Sequence, residues 1–161
     1  MSKENMYPMF TTPANYQFRV KFLHQKKVYR DLEIYGDWSL HELAALILKS
    51  IKFEFDHCCG FYSNLKKMQD SEEKYELFVD YGHESAEGAK SLKGSLIQDV
   101  FEVKKKMLFY FDYGDNWEFQ VTCLKITDKE LTKNGVIKTE SKAPKQYPRT
   151  AKGQEEWCLF H

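Results

Sequence analysis

The stretch FYFDYGDNWEFQV, residues 109–121, decides the fold. Seven of its thirteen residues are aromatic or aliphatic, namely Phe109, Tyr110, Phe111, Tyr113, Trp117, Phe119 and Val121. Phe109, Phe111 and Tyr113 alternate with Tyr110 and Asp112, the period of a half-buried strand. Gly114, Asp115 and Asn116 tolerate turn dihedrals, so the stretch predicts an antiparallel hairpin turning at 114–116. The alternation places Asp112 at a strand end on the more exposed side, and Asp115 in the turn.

The same period recurs upstream. Tyr16, Phe18, Val20 and Phe22 alternate with Gln17, Arg19 and Lys21. After the polar turn HQKK, Val28, Leu32 and Ile34 continue a second run in which Arg30 falls on the apolar side. These two runs predict another antiparallel hairpin. DWSLHELAALILKSI, residues 37–51, predicts the main helix. Ser39 and Glu42 have capping-box spacing, and Leu40, Leu43, Ala44, Ile47, Leu48 and Ile51 form one apolar stripe. Further strands are expected near 58–62 and over YELFVDYG, residues 75–82. HESAEGAKSLKG reads as a loop, and SLIQDVF as a short helix burying Leu96, Val100 and Phe101.

The order β-β-α-β-β-(α)-β-β, with links too short for parallel crossovers, predicts an α+β fold. A mostly antiparallel sheet would carry one main helix on a face. A chain of 161 residues fits one domain. Its core is expected over about 16–126. A polar segment, 127–161, would dock back through Tyr147-Pro148-Arg149, where a ring, a fixed φ and a guanidinium follow one another.

Lys+Arg and Asp+Glu balance at 24 each, so the chain lacks the global charge of a nucleic-acid or anionic-membrane binder. No signal-like or membrane-spanning apolar run is present, and a cytoplasmic protein is expected. Cys58, Cys59, Cys123 and Cys158 have neither zinc-ligand nor disulfide-framework spacing and read as reduced thiols. No nucleophile elbow, zincin helix or glycine-rich phosphate loop occurs, so no catalytic residue, metal or cofactor is expected.

The candidate binding residues are Asp112, Tyr113, Asp115, Trp117, His57 and Arg149. Gly114, Asn116, Tyr147, Pro148 and Gly153 complete the structural motif around them. In one reading Asp112 and Asp115 dress the turn or clamp the tail through Arg149. In another they rim a cleft, floored by Tyr113 and Trp117, that takes a cationic, protein or peptide partner. A metal-assisted hydrolase or nuclease using Asp112, Asp115 and His57 is an alternative. So is an accessory DNA-binding protein acting through Arg19, Lys21 and the basic tail of Lys138, Lys142, Lys145, Arg149 and Lys152. His57 itself also reads as a structural histidine at the sheet edge, and His41 as a solvent-side residue of the first helical turn.

The hairpin and the later YPRTAKG segment together resemble the plasmid pRiA4b ORF-3-like family. Asp112, Tyr113, Gly114, Asp115 and Trp117 match its hairpin motif, and Tyr147, Pro148, Arg149 and Gly153 its later one. Arg30, the Leu-rich helix, and His57 with Phe61 follow in the right order, so the resemblance spans about 16–153. Phe119 stands where that family often has histidine, Ala44 replaces a helix histidine, and Thr150 replaces a cysteine. The resemblance implies a compact α+β domain found in plasmid- and mobile-element-associated proteins. It implies no recombinase chemistry, and no recombinase constellation is present.

Overall fold

Alternating burial along the chain builds one large sheet. The computed structural model describes residues 13–132 and 135–147. The elements run β1 (Asn15–Phe22), β2 (Tyr29–Tyr35), α1 (Leu40–Ser50), β3 (Cys59–Tyr62), β4 (Lys74–Glu76) and α2 (Leu77–Asp80). They continue with β5 (Lys90–Ser91), α3 (Ile97–Val100), β6 (Lys106–Phe111), β7 (Trp117–Thr127) and β8 (Val136–Glu140). The eight strands lie in the order β5-β4-β3-β6-β7-β1-β2-β8. Every pairing is antiparallel except β4 with β5.

One face holds the apolar core. Tyr16, Phe18, Val20 and Phe22 of β1 join Leu32 and Ile34 of β2, and Phe109 and Phe111 of β6, in a single buried cluster. Helix α1 packs its stripe into that cluster beside β2. Ser39 and Glu42 form the capping box, with each side chain bonded to the other's backbone N–H. The opposite face is polar. There Asn15 donates to Glu33 at 2.9 Å, and Arg19 forms a two-point ion pair with Asp31 at 2.8 and 2.9 Å.

Both hairpins form as the alternation predicts, and four details of the sequence reading change. The expected strand over 75–82 stops at Glu76 and becomes the helical turn α2. Local bonds replace the ladder there: His83 N–H donates to Phe78 O, and Gly82 takes φ +71° to close the turn. The loop after it contains β5, pinned by the Asp80 carboxylate, which accepts from the Ser91 hydroxyl and Leu92 N–H. The polar C-terminal segment contains β8. It is an edge strand with only Val136 half-buried, so it has no alternation to read. In α3, Ile97 is buried where Leu96 was expected, because Leu96 bridges to Ser39.

Arg30 falls on the core side, 5% exposed. Its guanidinium donates to the carbonyls of Ser50, Tyr29, Glu140 and Ser141. It therefore ties the end of α1 to the end of β8, and burial lowers its pKa. Among the described residues no helix is long and apolar enough to cross a membrane.

Candidate functional site

The turn between β6 and β7 is built by Asp112. This residue takes φ +66°, which ends the strand alternation one residue earlier than the sequence suggests. Its Oδ1 accepts the N–H groups of Gly114 at 3.0 Å and Asp115 at 3.1 Å, an Asx turn. Its carbonyl accepts Asn116 N–H, and its own N–H donates to Cys58 O. Asn116, at φ +58°, accepts the Tyr110 hydroxyl.

The left-handed backbone swings the Asp112 side chain inward. The carboxylate is 1% exposed rather than on the exposed side, and its Oδ2 has no hydrogen-bond partner among the described residues. That oxygen lies 3.6 Å from His57 Nδ1. The same nitrogen meets Asp56 Oδ1 at 2.8 Å, so two carboxylates face one imidazole.

Residues from the C-terminal segment complete this corner. Gln146 is buried and reads the strap before β3 on both sides of its amide. Its Oε1 accepts Glu54 N–H at 2.7 Å, and its Nε2 donates to Glu54 O and to Asp56 Oδ1. The Tyr147 hydroxyl donates to Asp56 Oδ2. Burial raises the Asp56 pKa, but the bonds from Tyr147 and His57 outweigh it and hold the carboxyl below its ordinary value. Burial, and then Asp56 itself, push the Tyr147 phenol up. Pro148, Arg149 and Gly153 lie outside the described residues, and with them any contact of Arg149 with Asp112 or Asp115.

Phe111 and Phe55 wall the corner. Phe111 lies edge-on to His57 with ring centroids 6.3 Å apart, and to Phe55 at 6.0 Å. His41, expected on the solvent side, instead stacks on Phe55 at 5.2 Å. Burial, with help from Lys93, lowers its pKa.

Tyr113 and Trp117 leave the turn in different directions and do not floor one cleft. Trp117 joins the core side beside Phe53 and Phe22, where its indole N–H finds no acceptor among the described residues. Tyr113 turns to the polar side, against Tyr110 and Phe78. Its hydroxyl meets the Tyr62 hydroxyl at 2.7 Å, and Tyr62 donates to Glu76 Oε2 at 2.5 Å. Both phenols lie above Gly60, where a Cβ would come within 2.8 Å of each oxygen. Burial is the main cause that raises both tyrosine pKa values.

Among the described residues no three His, Cys, Asp or Glu side chains are grouped to hold a metal ion. Cys59 and Cys123 are buried free thiols and Cys58 is half-buried. Sequence reasoning brought together His57 and Asp112 but missed Asp56, Phe55 and Gln146. Asp56 had a signal, since it adjoins His57; Gln146 had none.

Comparison with known proteins bears on the whole chain rather than on the site. The profile of the family described as plasmid pRiA4b ORF-3-like protein matches residues 14–157. A crystal structure of a protein of unknown function from Methanosarcina mazei Go1 is similar, with a TM-score of 0.68 at 18% identity. That similarity covers 92% of this chain and 82% of the other, and at this identity it speaks to the fold. No curated protein matches the chain.

Proposed function

We propose, for a chain that belongs to the plasmid pRiA4b ORF-3-like family, a non-catalytic binding module whose acidic corner recognises a cationic group on a protein or peptide partner. The observation that carries this reading is the Asp112 carboxylate, buried beside Asp56 and the His57 imidazole, with one oxygen that has no hydrogen-bond partner among the described residues. Among the described residues one imidazole faces both carboxylates. A buried charge is weakly screened, so Asp112 projects negative potential outward. The more exposed Asp56 is then placed to meet a guanidinium or ammonium, with Phe55 and Tyr147 as the apolar wall. An association with plasmids or mobile elements follows the family's description and is part of this proposal.

The two alternatives fit less well. A metal-assisted hydrolase needs Asp112, Asp115 and His57 to converge, and the described residues hold no such grouping of three. DNA binding through Arg19 would compete with its two-point pairing to Asp31 and its stacking over Tyr29 at 4.3 Å.

The test is fluorescence anisotropy with labelled arginine- and lysine-containing hexapeptides against the protein and Asp56→Asn, with melting temperature followed in parallel. Asp56→Asn should weaken peptide binding about tenfold, a loss of about 1.4 kcal/mol, and lower the melting temperature by a few degrees at most, since the amide keeps an acceptor for Tyr147. Unchanged binding, or no binding by the unaltered protein, would overturn the reading. Unchanged binding with a large fall in melting temperature would make the corner a clamp.

A further inference from the structure

The second feature has the opposite sign and lies at the start of the segment that follows β8. From Lys21 to Tyr29 the chain reads KFLHQKKVY, and from Ser141 to Tyr147 it reads SKAPKQY. In a chain whose cations and anions balance, these two stretches hold Lys21, Lys26, Lys27, Lys142 and Lys145 and no carboxylate. Pairing of β2 with β8, with Tyr29 opposite Glu140 and Arg30 opposite Thr139, brings them together. Between them lies an open cleft of about 580 Å³ lined by Gln25, Lys26, Lys27, Val28, Ser141 and Lys142.

The walls of this cleft are fixed by the fold. Val28 is 4% exposed and anchors the turn in the core. Ser141 takes φ +65°, a left-handed kink that ends β8 and sets Lys142 on the rim. The kink is held by Arg30, whose guanidinium donates to Glu140 O and to Ser141 O at 3.1 Å each. Among the described residues no carboxylate pairs with Arg30 within 4 Å, so its buried charge adds to the positive potential behind the wall.

We infer that this cleft binds a small phosphorylated ligand of the nucleoside monophosphate class. Lysine ammonium groups are point charges suited to phosphate, and a phosphomonoester carries nearly two negative charges at neutral pH. The volume falls within the range of about 300–1,000 Å³ usual for small-molecule sites. The apolar floor at Val28 and the lysine stems offer contact to a base or sugar. Glu140, exposed at the end of β8, interrupts any longer basic track, so a duplex backbone fits this surface poorly. The inference does not rest on the acidic corner, which uses other residues and the opposite charge.

The probe is AMP, with adenosine as its uncharged control, followed by amide NMR shifts and calorimetry at low salt. AMP should shift the amides of residues 25–28 and 141–142 saturably, and adenosine should not. The double variant Lys26→Gln, Lys142→Gln should weaken AMP about tenfold or more, with the melting temperature unchanged because both lysines are exposed. Equal AMP affinity in the double variant, shifts confined to other residues, or absence of AMP binding would each overturn the assignment. Binding of a short DNA duplex without binding of AMP would overturn it as well.

Discussion

A single dihedral angle organises the β6–β7 turn. Asp112 is aspartate because its φ of +66° suits few side chains, and because its Oδ1 must accept two turn N–H groups. Asparagine retains that acceptor and tolerates the same backbone; alanine does neither. Asp112→Ala should therefore destabilise by about 2–4 kcal/mol, from lost bonds plus left-handed strain. Asp112→Asn should cost well under half of that, and urea unfolding of the two variants compares them directly. Equal losses would mean that the charge, not the turn, is what the fold needs. The neighbouring Asp56 gives a pH dependence of known sign. Its folded pKa lies below the ordinary value of 3.8, so its contribution is present above that value and is lost as pH falls through the lower folded one. The Tyr147 ring resonances should keep their docked shifts at pH 5 and move toward free-tyrosine values only in strong acid. Movement already complete at pH 5 would contradict the depressed carboxyl.

At the scale of elements, Arg30 does for three chain segments what a cap does for one helix. Replacing it with methionine keeps the apolar stem and leaves four carbonyls without their donor. The expected loss is about 2–4 kcal/mol, since four part-buried carbonyls lose hydrogen bonds from a charged donor. Exchange of amide hydrogens should then accelerate first in β8, whose end Arg30 holds. Uniform exchange across the sheet would show that β8 is secured by its ladder with β2 alone. The elements legible in the sequence were those whose signals are local. Strands β1, β2, β6 and β7 announce themselves by alternation, and α1 by Ser39, Glu42 and its stripe. Strands β5 and β8 and the turn α2 were not legible. Two residues cannot show a period, and an edge strand of exposed Lys, Thr and Glu looks like a loop. The same limit divides the site. Asp112 and His57 stood out by chemistry, whereas Gln146 reaches Glu54 across 92 positions and nothing near it in sequence marks the contact.

For the whole molecule, the sheet order has the consequence that β2 is not an edge. Strand β2 is buried at five of seven positions, including Leu32 and Ile34, and its outer side is closed by β8, which is exposed at four of five. A short, exposed strand thus shields a buried one, the usual protection of a sheet margin against edge-to-edge association. The segment that follows β8 then crosses from the lysine cleft to the acidic corner, carrying Lys142 to one and Gln146 and Tyr147 to the other. Ending the chain at residue 131 should therefore do more than lower stability. It would uncover the N–H and C=O groups of β2, strip Arg30 of two of its four acceptors, and release the strap at Glu54–Asp56. Sedimentation velocity should show concentration-dependent association of the shortened chain that the full chain lacks. Adding Lys at the position of Leu32 would not test this, because that residue is in the core; Tyr29→Lys, half-buried on the polar face of the same strand, would place a charge beside the bared edge. If β2 is the associating surface, that change should reduce association in the shortened chain. A shortened chain that stays monomeric at every concentration would mean that the β2 edge is protected by something other than β8.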